Sequence, residues 1–192
     1  MRGSRKHILG WVGRGTEPFR ASLNQMLAGC GAEIRNTDIW MPHGTTSTRE
    51  ARLGSNDLGV LTKDIQRELT KWWLVHPSGA NTPNWDLAAG ASFSGREGLV
   101  LVEAKAHLGE LEKAGKRPCK TNRDEDGYNR SEDNGQRIGV AIDQACNALK
   151  SQVPGVSISR DRYYQISNRI AFTWKLASLG IPVVLVYSEL MP

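Results

Sequence analysis

Residues 84–107, NWDLAAGASFSGREGLVLVEAKAH, decide how the rest of the chain is read. The stretch reads as two strands joined by a Gly-rich turn. The second strand, Gly98 to Ala106, is a run of β-formers, LVLV, that ends in Glu103-Ala104-Lys105. A side-chain period of two puts Glu103 and Lys105 on one face of that strand. A fully apolar strand belongs at the centre of a sheet, covered on both sides. An acid and an amine at such a place cost free energy unless each finds a charged or metal-bound partner. The nearest upstream carboxylate, on the adjoining strand, is Asp86. Two carboxylates and a lysine converging at a strand end describe a site for a divalent metal. Hard oxygen ligands suit Mg²⁺ or Mn²⁺, ions that keep several waters and commonly contact a phosphate.

Downstream, residues 107–135 carry too many charges and turn formers to be core and read as a polar insertion. Its acids, Asp124, Glu125, Asp126, Glu132 and Asp133, lack the alternation of a calcium loop and read as a solvated face. Ile138, Ile142, Ala145 and Leu149 recur at helical spacing over 136–150. A second helix is expected from Asp161 to Leu179, with Gln165, Asn168 and Arg169 on its polar side. Gly180-Ile181-Pro182 is a stop, and VVLVY, Val183–Tyr187, is another buried strand. Upstream, Thr62 to Val75 makes an amphipathic helix with Leu61, Ile65, Leu69, Trp72 and Trp73 as its apolar stripe. Asp57 is a candidate cap for it. Residues 32–60 read as loop, Pro18 to Ala28 as a short helix, and residues 1–20 as a loose arm or a first short strand. The expected organisation is therefore an N-terminal arm, short helix and loop over 1–60, followed by an α/β core over 61–192.

Asp86, followed after a hairpin by Glu103-x-Lys105 closing an apolar strand, resembles the PD-(D/E)xK, or restriction-endonuclease-like, nuclease superfamily. The proline that usually precedes the aspartate is displaced here, in Pro83-Asn84-Trp85-Asp86. The resemblance spans roughly Thr62 to Leu190. It implies a restriction-endonuclease-like fold, a central mixed sheet flanked by helices, and a metal-dependent DNA nuclease. Asp86, Glu103 and Lys105 would be catalytic. Asp86, Glu103 and the backbone carbonyl of Ala104 would hold Mg²⁺, with Mn²⁺ able to substitute. The superfamily often draws a further glutamate from the helix before the aspartate strand, and Glu68 matches by order; it equally fits an exposed glutamate paired with Lys71. A glutamine or basic residue on the helix after the ExK strand often faces the site, and Gln165 and Arg169, one turn apart, match as nucleic-acid-binding residues. Restriction-type enzymes commonly dimerise, so a homodimer is also implied. The alternative is a non-catalytic nucleic-acid-binding or assembly subunit that kept the fold.

The 192 residues suffice for one domain with a real core. A formal charge of +5 and a pI near 9.3 favour a polyanionic partner such as DNA. Arg2, Arg5, Lys6, Arg14 and Arg20 cluster in the N-terminal arm as candidate phosphate contacts, or as a solvated terminus. Three scattered cysteines, Cys30, Cys119 and Cys146, exclude a CxxC zinc site and fit a cytoplasmic location. No run approaches the roughly 20 apolar residues of a membrane span. His107 lies beside the motif with no specific claim to a ligand role. The tryptophans read as core, although Trp85, next to Asp86, has the position to stack on a base.

Overall fold

The computed structural model describes residues 3–44, 47–54, 58–78, 80–105, 115 and 125–189. It is a mixed α/β structure, and the helices α1 (Ser4–Val12) and α2 (Thr16–Met26) open it. Three two-residue strands follow: β1 (Ala32–Glu33), β2 (Trp40–Met41) and β3 (Ala51–Arg52). Then come α3 (Lys63–Trp73), β4 (Asn84–Trp85), β5 (Leu87–Phe93), β6 (Arg96–Lys105), α4 (Glu125–Lys150), α5 (Tyr164–Ser178) and β7 (Val183–Glu189).

The hairpin of β5 and β6 is the centre of the sheet. Its two-residue turn, Ser94-Gly95, takes positive φ at both positions, 51° and 85°. That conformation matches the right-handed twist of the flanking strands. The register runs from Phe93 opposite Arg96 to Leu87 opposite Val102. On its other side β6 pairs in parallel with β7, Leu99 opposite Val183 through Lys105 opposite Glu189. The sheet order is β1-β5-β6-β7, with β2 also paired to β5, while β3 and β4 form a separate ribbon. Parallel pairing requires a long crossover, which α4 and α5 supply. Gly98 marks the tightest approach: a Cβ there would lie 2.3 Å from the Pro182 carbonyl, the oxygen that accepts the Leu99 N–H.

The alternation of β6 divides the core. Leu99 and Leu101 face a cluster containing Trp73, Trp85, Ile142 and Phe172, on the side of α3, α4 and α5. Val100, Val102 and Ala104 face Ile8, Trp11, Phe19 and Leu23 of α1 and α2. All five of these β6 side chains are completely buried, worth about 1.5–3 kcal/mol for each large one.

Several elements differ from the sequence reading, each because tertiary contacts override local signals. The expected loose arm is helical: α1 contains Gly10, a poor helix former, yet Ile8, Leu9, Trp11 and Val12 bury their side chains. Two strands of the expected 32–60 loop, β1 and β2, add to the sheet along β5. The expected polar insertion ends earlier than 135, because α4 begins at Glu125, with Glu125 and Asp126 favourably placed in its first turn. Its first half is tied down by Asn134, whose carbonyl oxygen accepts from Val75 and His76 N–H and whose amide donates to the His76 carbonyl. Helix α5 starts at Tyr164 rather than Asp161, after Tyr163 in the left-handed region. For α3 the cap is Thr62, whose side chain accepts from Ile65 N–H at 3.3 Å; Asp57, His107, Cys119 and Asp124 lie outside the described residues.

Candidate active site

Parity along β6 carries Glu103 and Lys105 onto the same sheet face as Leu99 and Leu101, under α5. Asp86, just before β5, lies two residues from Ala88, which packs in that same cluster. The three residues converge with two from α5. Lys105 Nζ donates to Glu103 Oε1 at 2.8 Å and to Gln165 Oε1 at 2.6 Å. Arg169 Nε donates to Glu103 Oε2 at 2.7 Å. The Ala104 N–H donates to Asp86 Oδ2 at 2.9 Å. Glu103 and Lys105 are only 4% and 8% exposed, so these are charge-assisted bonds with little solvent screening.

The electrostatics of Asp86 follow from this crowding. Burial, and then the negative charge of Glu103, push its carboxyl up to about 6, while the Ala104 N–H, Lys105 and Arg169 pull it down. Arg169 is held on two further sides. Its guanidinium lies 4.9 Å from the centre of the Trp85 ring, a cation–π distance, and its NH1 donates to Asn168 Oδ1 at 2.8 Å. Trp85 itself is fully buried against Phe172, at 6.4 Å between ring centres. It is the floor beneath Arg169 rather than a platform for a base.

Of the residues singled out from sequence, Asp86, Glu103, Ala104, Lys105, Gln165 and Arg169 come together, and Glu68 does not. Glu68 is an exposed residue of α3 whose carboxylate accepts from Lys175 Nζ at 2.9 Å. Lys175 lies six residues beyond Arg169, about 9 Å along the helix. The basic residues of the N-terminal segment are also elsewhere. Arg5 pairs with Glu50 and Thr48 and Arg20 with Glu17, and α1 and α2 cover the opposite face of the sheet.

Two residues near the cluster were not assigned a role from sequence: Asn168, which holds Arg169, and Tyr164, one turn before Asn168. Burial pushes the Tyr164 phenol up, opposed by a hydrogen bond to Asn168 and the charge of Arg169. Their i, i+4 spacing, in step with Gln165 and Arg169, was the available signal.

The chain matches no protein-family model, no curated protein and no solved structure. The chemistry of the site therefore rests on its own residues. Among the described residues no three His, Cys, Asp or Glu side chains group to hold a metal ion. Two carboxylates, Asp86 and Glu103, do lie together, and Mg²⁺ is commonly held by one or two carboxylates with waters and substrate oxygens completing its shell. The donor set fits such an ion, provided Glu103 exchanges at least one of its cationic partners. No helix among the described residues is long and apolar enough to cross a membrane.

Proposed function

We propose that the chain is a metal-dependent deoxyribonuclease of restriction-endonuclease-like fold, hydrolysing phosphodiester bonds at the Asp86–Glu103–Lys105 cluster. The observation that carries this reading is the meeting of these three residues with Gln165 and Arg169 at the end of one buried strand. Buried ion pairs are costly to assemble and give little net stability, so a cluster of this kind is better accounted for by chemistry than by folding.

Asp86, Glu103 and the Ala104 carbonyl would hold Mg²⁺, or Mn²⁺ in its place, which supplies polarisation of the phosphoryl oxygen and neutralises charge there. Lys105 lies between carboxylates and stays cationic, so it acts electrostatically. Its ammonium donates hydrogen bonds to the attacking water and to the phosphoryl oxygen as negative charge grows. Gln165 fixes the Lys105 side chain in that position. Arg169, a planar donor that suits phosphate oxygens, holds the strand backbone when it leaves Glu103. The net positive charge of the chain, +5, favours the polyanionic partner.

A second reading is a non-catalytic DNA-binding subunit, favoured by one observation: both oxygens of Glu103 are already taken by cations. Cleavage assays on linear, circular and single-stranded DNA with Mg²⁺, Mn²⁺ or EDTA, run beside Glu103→Gln, separate the two. Metal-dependent cutting that the substitution abolishes is the expected result. DNA binding without cutting by either protein selects the second reading.

A further inference from the structure

A pocket of about 420 Å³ opens between the end of α3, the loop before β4, and the facing turns of α4 and α5. It adjoins the candidate active site. Asn168 lines it and accepts from Arg169, which holds Glu103. Pro83 lines it three residues before Asp86, a chain distance of no more than about 10 Å. The lining mixes flat apolar surface, from Trp73 and Pro83, with hydrogen-bonding groups from Ser131, Tyr164 and Asn168, and the exposed Arg130 guanidinium belongs to it as well.

Resting on the nuclease reading of the neighbouring cluster, we propose that this pocket receives one nucleotide of the substrate, its base unstacked from the strand. The volume lies at the lower end of the range for small-molecule sites, enough for a nucleoside monophosphate and too small for a base pair with its backbone. Apolar walls for the faces of a ring, with an amide, a phenol and a hydroxyl for its edge, are what a splayed or extruded base requires. Arg130 supplies a cation for the phosphate. The position beside Asp86 and Arg169 places the bound nucleotide next to the phosphodiester to be cut. The pocket would then select single-stranded or locally opened DNA and give preference for one base at the position it accepts.

The test titrates the four deoxynucleoside 5′-monophosphates, and deoxyribose 5-phosphate as a control without a base, into the full chain in EDTA, followed by NMR or calorimetry. Ser131→Trp fills the pocket from the surface of α4, and the exposed Arg130→Glu reverses the rim charge and serves if the first variant fails to fold. Saturable binding of at least one monophosphate is expected, with the sugar phosphate weaker and either variant reducing affinity about tenfold or more. No saturable binding, or equal binding of the sugar phosphate unaffected by the variants, overturns the proposal. Cleavage that needs Glu103 but comes without monophosphate binding removes the pocket alone. Monophosphate binding in a protein that never cleaves removes the nuclease reading and leaves the pocket.

Discussion

Arg169 closes the second oxygen of Glu103 at 2.7 Å, while Lys105 already occupies the first. One buried carboxylate is thus shared by two cations from different elements. Arg169→Ala leaves Glu103 with Lys105 alone and deletes the contact with Trp85. The expected loss is about 2 kcal/mol of stability, read as a lower midpoint in urea denaturation. Weakened DNA binding should accompany it, measured at fixed salt. An unchanged midpoint would mean that Arg169 is solvated rather than clamped.

Lys105→Ala leaves Arg169 on Glu103, so the fold should survive. Cleavage should fall by about 10²–10³-fold, the usual effect of losing a group that stabilises developing charge. Circular dichroism together with the cleavage assay checks both halves. Retained cleavage would move the chemistry away from this cluster.

Asp86 makes the metal-free protein sensitive to pH. Its carboxyl is raised from the ordinary 3.8 to about 6 by burial and by Glu103. The folded state therefore prefers the neutral form. That preference contributes fully below about pH 4 and is lost as pH rises through about 6, a difference on the order of 3 kcal/mol. In EDTA, Asp86→Asn should accordingly gain stability over the wild type at pH 8 and match it near pH 4. Mg²⁺ should stabilise the wild type at pH 8 and leave the variant unmoved. Parallel pH profiles for the two proteins would refute the assignment.

Glu68→Ala should alter stability by no more than about 0.5 kcal/mol, as expected for an exposed pair, and leave cleavage intact. The Lys175 contact is what the substitution removes. A loss of metal-dependent activity would return Glu68 to the site.

The centre of this fold was legible because its signals are short-range. Ser94-Gly95 sets the hairpin, the period of two assigns Glu103 and Lys105 to one face, and the i, i+4 spacing of Gln165 and Arg169 points both toward it. What was not legible depends on distant partners. Helix α1 contains Gly10 and exists because Ile8, Trp11 and Val12 meet Val100 and Val102 of β6. Strands of two residues, such as β1 and β2, carry no period at all. Gly127 and Gly135 disguised the first half of α4, which Asn134 secures through His76. Glu68 was assigned by element order alone, and order does not fix on which side of a helix a carboxylate emerges.

The parallel crossover has a consequence for how the chain reaches this state in time. The β5–β6 hairpin joins neighbours in sequence and closes cheaply, whereas Leu99 meets Val183 only after the whole α4–α5 segment has been drawn in. Until then Glu103 and Lys105 stand at a strand end with neither Gln165 nor Arg169 available to them. Interactions made by Arg169 should therefore be absent at the rate-limiting barrier, and Arg169→Ala should speed unfolding while leaving the folding rate nearly unchanged, a φ-value near zero. The charged cluster is the last joint to close, and its closure marks the arrival of the chain's two halves.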